Sequence, residues 1–165
     1  MSADAEQQFT TEVAASQSDC FDAIMEFEAY PRWSSAIQEA TVLEADRAGY
    51  GRIVEFFIDM RFKRVRYVLE YSYEKPSRLT WRSVDGDIES VEGAYTFRKR
   101  GPQVTEVTCR QVIVLGFWVP GPLRKLAERT ALKQSVLEFK EEAERLVAER
   151  AARPQRKGGT RKRKS

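Results

Sequence analysis

The residues that could carry acid–base or nucleophilic chemistry are few, because this chain of 165 residues contains no histidine. The missing imidazole excludes histidine-based proton transfer, serine–histidine and cysteine–histidine nucleophile pairs, and histidine-containing zinc sites. The two cysteines, Cys20 and Cys109, have no partners at metal-ligand spacing. A helix start could lower the pKa of Cys20, but packing beside Phe21 is the favoured interpretation, and we expect both thiols to be buried. The sequence predicts no catalytic residue, no metal and no cofactor.

Four carboxylates on predicted strands are the remaining candidates for proton transfer: Glu55, Asp59, Glu70 and Glu92. A carboxylate that faced a dry cavity would have a raised pKa and could act as an acid or a base. A solvated outer face of the sheet explains the same positions. We favour the outer face.

The last predicted strand leaves one orientation open, since either Arg110 or Gln111 must point inward. An inward Arg110 would be a costly buried charge unless it met an anionic ligand or a carboxylate. Arg110 is therefore a candidate ligand contact.

The charge of the chain divides sharply between its body and its C-terminus. Residues 150–165 contain 8 basic residues and no acid; removing these 8 from the 28 basic residues leaves 20 against 25 acids, so residues 1–149 carry about −5. This segment has no apolar periodicity, which predicts a disordered tail separate from a domain at 7–149. The tail could contact nucleic acid or an anionic membrane weakly, or act only as a solubilising appendage. The candidate contacts are Arg161, Lys162, Arg163 and Lys164.

Neither an export signal nor a membrane span is visible in the sequence. Residues 1–6 lack a positive region followed by an apolar one. The longest apolar stretch, Val112 to Pro120, is far shorter than the roughly 20 residues of a spanning helix. We therefore expect a cytoplasmic protein.

The pattern of apolar residues predicts the elements that must position any site. Gln7 to Ala15 suits a first strand, and Ser16 or Ser18 can cap a helix after it. Pro31 can open a second short helix. From Ile37 to Leu115 the period is two with short turns between segments, which predicts an antiparallel meander.

A long C-terminal helix is predicted after Pro120-Gly121-Pro122, ending near Glu149. Its apolar residues are spaced four and three apart and form one seam that can pack on the sheet. The first turns carry a different apolar face, so the helix either bends near Thr130 or packs there on something else. The seam consists of Leu132, Val136, Phe139, Ala143 and Leu146.

Short motifs in this order resemble the START-like, helix-grip superfamily called SRPBCC, in its polyketide cyclase/dehydrase and lipid-transport branch. The chain is similar to small actinobacterial proteins of that branch, and the resemblance covers roughly residues 8–148. The matching stretches are Phe27-Glu28-Ala29-Tyr30-Pro31-Arg32-Trp33, Tyr71-Ser72-Tyr73-Glu74, Pro76-Ser77-Arg78-Leu79-Thr80-Trp81, Gly93-Ala94-Tyr95-Thr96-Phe97, Thr105-Glu106-Val107-Thr108 and residues 127–140.

The resemblance implies an α+β helix-grip fold: a curved antiparallel sheet of six or seven strands around one long C-terminal helix, with two short helices after the first strand. Members bind sterols, polyketides, quinones, phospholipids or plant hormones, and a minority catalyse cyclisation or dehydration. It also implies a cavity between sheet and helix. The candidate cavity residues are Trp33, Phe56, Ile58, Tyr67, Leu69, Tyr71, Trp81, Tyr95, Phe97, Arg110, Trp118, Leu132, Val136 and Phe139.

Three functions are consistent with these features. The first is binding or carrying a hydrophobic small molecule such as a lipid, polyketide or quinone, which suits a wide aromatic sheet face. The second is a polyketide aromatase/cyclase or dehydratase. The third is an adaptor that contacts nucleic acid or an anionic membrane through the basic tail. The sequence identifies neither the ligand nor the oligomeric state.

Overall fold

Seven antiparallel strands in one sheet form the body of the protein in a computed structural model, which describes residues 6–126 and 130–153. The order along the chain is β1 (Glu6–Val13), α1 (Gln17–Ile24), a 3-10 helix (Phe27–Ala29), α2 (Tyr30–Trp33), β2 (Ile37–Ala45), β3 (Gly51–Asp59), β4 (Arg64–Glu74), β5 (Arg78–Gly86), β6 (Ser90–Gly101), β7 (Val104–Val114), α3 (Gly121–Leu126) and α4 (Leu132–Ala152).

The sheet has the order β1-β7-β6-β5-β4-β3-β2, so β2 to β7 form the predicted meander. β1 crosses over to pair with β7, with Phe9 opposite Cys109. The sheet is curved, and the period-two pattern of its strands places one set of apolar side chains on the concave face. The predicted α+β helix-grip class is confirmed.

The helices after β1 differ in extent from the prediction. Ser16 caps α1 by accepting a hydrogen bond from the Asp19 backbone N–H at 3.1 Å, as the capping-box spacing predicts. α1 ends at Ile24, earlier than expected from the position of Pro31, and the 3-10 helix follows. This break buries Phe27 against Tyr71, with ring centroids 4.5 Å apart.

Helix α4 packs its apolar seam against the concave face, with Val136 and Phe139 fully buried. Polar contacts on its flank fix it to β1: Glu144 accepts from the Ala14 N–H at 2.9 Å, and Lys140 donates to the Glu12 carbonyl at 2.9 Å. The helix continues to Ala152, slightly past the predicted end. The predicted basic tail beyond Arg153, including the candidate contacts Arg161 to Lys164, lies outside the described residues.

In the described part of the chain, no helix combines the length and the apolar character that crossing a membrane would require.

Candidate ligand-binding site

An aromatic wall covers the concave face of the sheet. Neighbouring rings lie in contact across the strands, Tyr71 to Trp81 at 6.0 Å and Trp81 to Tyr95 at 5.8 Å between centroids. Along β6, Tyr95 stacks on Phe97 at 5.8 Å. On β3 and β4, Phe56 stacks on Tyr67 at 5.4 Å. Offset and edge contacts of this kind are the favoured geometries for aromatic rings. These six residues are called the aromatic wall below.

The seam of α4 faces the aromatic wall from the other side. Phe139 contacts Tyr95 at 5.6 Å and Phe97 at 6.2 Å, and Trp33 at the end of α2 lies 6.1 Å from Phe139. Leu132 and Val136 are buried on the same face of α4. The structure thus brings together the predicted candidates from β3 to β6, from α2 and from α4. Their role in ligand binding stays a prediction.

The hydroxyl groups on this face remain neutral at ordinary pH. Burial, followed by the proximity of Tyr30, raises the pKa of Tyr71 well above its usual value. Burial likewise raises the pKa of Tyr67. Burial, followed by the proximity of Cys109, raises the pKa of Tyr95. The wall can therefore donate hydrogen bonds from phenols, and none of these three supplies a phenolate near neutral pH.

Gln111 is the amide on the concave face. Its Oε1 accepts a hydrogen bond from Trp81 Nε1 at 3.2 Å. The bond holds the indole over Gly93, the cross-strand partner of Trp81. A Cβ atom built on Gly93 would lie 2.5 Å from the Trp81 ring, so only glycine permits this arrangement.

Exposure changes from one end of the concave face to the other. On β7, Val107 is fully buried, and α1 closes this end by placing Phe21 against Phe97, with ring centroids 5.8 Å apart. At the opposite end Ile58 and Ile113 are only half-buried. The concave face is therefore less enclosed at this second end.

Two candidates lie elsewhere. Arg110 points to the convex face: its side chain is 48% exposed, and Nε donates to Glu6 at 2.7 Å. The inward hypothesis for Arg110 is therefore wrong, because alternation from the buried Cys109 turns Arg110 outward and Gln111 inward. Trp118 is 76% exposed in the loop after β7 and lies outside the concave face.

The carboxylates considered for proton transfer belong to the convex face. Glu55 pairs with Arg66 at 2.6 Å. Glu70 lies between Arg52 and Arg82, at 2.6 Å from each. Their partners are half-buried or exposed, so the solvated outer face explains these positions. Within residues 6–126 and 130–153, His, Cys, Asp and Glu form no cluster that could hold a metal ion.

Both thiols are packed in the interior. Cys20 is fully buried, and burial raises its pKa to about 11; Cys109 is 2% exposed, and burial raises its pKa to about 12. Burial is the largest cause of the raised pKa of Cys20. The expectation of two buried thiols is met.

Three residues of the site were not chosen from the sequence: Phe27, Tyr30 and Gly93. Tyr30 lies 5.9 Å from Phe56 and donates from its hydroxyl to the Ile24 carbonyl at 2.6 Å. No periodicity places a 3-10 helix and a one-turn helix over a sheet, so the apolar pattern gave no signal for Phe27 and Tyr30, although both lie in a stretch that resembles the family. Gly93 did carry one, since a lone glycine within a strand indicates a close approach.

A curved sheet gripping one long helix, with an aromatic concave face, defines a helix-grip domain of the START-like class. The family described as polyketide cyclase/dehydrase and lipid transport matches residues 13–140, which is more than half of the chain. The chain belongs to this family. A comparison with curated proteins finds no match.

Solved structures share the fold at low sequence identity. A START superfamily protein from Mycobacterium smegmatis has a TM-score of 0.76 and 21% identity over 86% of this chain and 98% of its own. The ZhuI aromatase/cyclase from a Streptomyces strain has a TM-score of 0.72 and 15% identity over 87% and 95%. The di-domain aromatase/cyclase StfQ of the steffimycin pathway has a TM-score of 0.67 and 20% identity, over 87% of this chain and 46% of its own.

Proposed function

We propose that this protein binds and carries a hydrophobic small molecule, such as a lipid, polyketide or quinone, between the aromatic wall and α4. The observation that carries the proposal is the aromatic wall itself, with α4 across from it and neutral phenols along it. Such a surface suits a flat apolar ligand, oriented by a few hydrogen bonds. Membership of a family described by both cyclisation and lipid transport supports the same reading.

The half-buried end of β7 offers a direct test with a matched pair of variants. Ile113 packs against the core on the concave face, whereas its neighbour Val112 lies on the opposite face between Glu6 and Glu92. Ile113→Arg should weaken binding of a neutral probe, N-phenyl-1-naphthylamine, by about tenfold or more, because a charge would face the apolar interior. Val112→Arg should leave the affinity unchanged.

Fluorescence titration of the probe measures both affinities, and circular dichroism checks that both variants fold. If both variants lost affinity for the probe equally, or both kept it, the probe would bind outside the concave face. Organic extraction of the purified protein followed by mass spectrometry should, in addition, recover a co-purifying lipophile.

A second candidate function is a polyketide aromatase/cyclase or dehydratase. The specific observation is the pair of neutral phenols, Tyr67 and Tyr71, which could hydrogen-bond the ketone oxygens of a folded poly-β-ketone. Incubation with a linear poly-β-ketone thioester distinguishes the two functions. A carrier returns the substrate unchanged, whereas a cyclase or dehydratase gives a product that has lost water.

A further inference from the structure

Trp33 carries a hydrogen-bond donor that no described residue satisfies. Among the described residues, its Nε1 is the one buried side-chain nitrogen or oxygen without a partner. The other indole of the site, in Trp81, donates to Gln111 at 3.2 Å. Buried donors are almost always paired, because an unmade bond costs the full desolvation of the N–H group.

The surroundings of Trp33 place this donor at the candidate site. The indole lies between Tyr30, with ring centroids 4.8 Å apart, and Phe139, at 6.1 Å. Phe139 contacts the aromatic wall through Tyr95. The hydroxyl of Tyr30 is already used, since it donates to the Ile24 carbonyl. The described residues therefore leave Trp33 Nε1 free to donate to a bound molecule.

The charge of the site restricts what that partner can be. The described side chains of the aromatic wall and of the α4 seam are all uncharged, and Arg110 points away from them. An anionic oxygen would lose its hydration without meeting a counter-charge there, which is costly. A neutral oxygen needs only a donor.

We propose that Trp33 Nε1 donates a hydrogen bond to a neutral carbonyl-type oxygen of the bound molecule and so selects oxygenated ligands over hydrocarbons of the same shape. The inference rests on the proposed function, because it assigns a specificity-determining residue to that same site. Trp33 is a binding residue here and takes no part in bond making.

A pair of rigid probes isolates this one bond: fluorene, and fluorenone, which has the same three-ring frame plus one ketone. If the site offered no hydrogen-bond donor, fluorene should bind at least as tightly as fluorenone, since the ketone of fluorenone must give up its hydrogen bonds to water. With the Trp33 bond, the wild-type protein should bind fluorenone about three- to tenfold more tightly than fluorene. Trp33→Phe should abolish this preference, and the control Trp118→Phe, at an exposed position, should keep it.

A second measurement does not depend on how the variant folds. The chain contains 3 tryptophans, so a nitrogen-15 correlation spectrum of the wild-type protein shows their indole N–H groups separately. Fluorenone should move the Trp33 indole proton downfield, as expected for a new hydrogen bond, and fluorene should not.

The outcomes separate the two proposals. A wild-type protein that binds both probes without preference, or a Trp33→Phe variant that keeps the preference, would overturn the role of Trp33 and leave ligand binding intact. A Trp33 signal that responds equally to both probes would have the same effect. Failure of the wild-type protein to bind either probe would count against the proposed function, and the role of Trp33 would fall with it.

Discussion

Cys20 and Cys109 illustrate how burial determines the chemistry of a side chain. A thiol reacts as its thiolate, and a thiol in an unfolded chain has a pKa of about 8.5. In the folded protein burial raises the pKa to about 11 for Cys20 and about 12 for Cys109. The thiolate is therefore scarce at neutral pH, and each sulfur is also shielded from reagents.

We predict that neither thiol reacts readily with Ellman's reagent in the native protein at about pH 8, and that both react at once in denaturant. The labelling rate of the native protein should keep rising up to about pH 11. The rate for an exposed thiol would instead level off near its pKa of about 8.5. Cys20→Ala and Cys109→Ala assign the signal to each sulfur. Rapid stoichiometric labelling of the native protein would contradict the prediction and indicate an accessible, activated cysteine.

At the scale of elements, the strands were the most predictable part of the fold. The strands turn one face to the core, so their apolar residues alternate and reveal their orientation. β7 was ambiguous for a physical reason. Val112 and Val114 add apolar side chains to its outer face, which blurs the alternation around Arg110 and Gln111. An ion pair with Glu6 on β1 holds the Arg110 side chain on the outer face, and the sequence alone does not show this pairing.

The helical segments were less predictable, because their ends depend on tertiary contacts. Phe27 leaves the path of α1 and packs against Tyr71 and Phe56, and these contacts join residues far apart in the chain. The site was less predictable than the strands and more predictable than the helical segments. Its residues were chosen from alternation, whereas the orphan N–H of Trp33 became visible only in three dimensions.

The pairing of β5 with β6 depends on Gly93, and Gly93→Ala should destabilise the protein by about 1–3 kcal/mol. The new Cβ would lie 2.5 Å from both the Arg110 carbonyl oxygen on β7 and the Trp81 ring, so either the strands or the Trp81 indole must move. Displacing the indole breaks the bond from Trp81 to Gln111. Urea unfolding followed by tryptophan fluorescence measures the loss.

Gly121→Ala is the matched control, since a Cβ at that position meets nothing within 4 Å. It should change the free energy of unfolding by no more than about 0.5 kcal/mol. If Gly93→Ala were as stable as this control, Trp81 would have to tolerate a different position, and the aromatic wall would be less fixed than the ring contacts indicate.

The whole molecule separates its charges by location. The described convex face carries arginine–glutamate pairs, and the concave face is lined by uncharged side chains. Residues 154–165 add 6 basic residues and no acid; subtracting these 6 from 28 leaves 22 against 25 acids, so residues 1–153 carry about −3. From this charge distribution we expect any affinity for a polyanion to come from the C-terminal segment.

We predict that deleting residues 154–165 abolishes binding to duplex DNA and leaves binding of the neutral probe unchanged. If all 6 basic residues contact phosphates, the logarithm of the full-length DNA affinity should fall against the logarithm of salt concentration with a slope of up to about −5. Replacing Arg161, Lys162, Arg163 and Lys164 by glutamine should reduce that slope by about 3 to 4. Unchanged DNA binding after deletion, or binding too weak to measure at low salt, would remove the adaptor role and leave the segment a solubilising appendage.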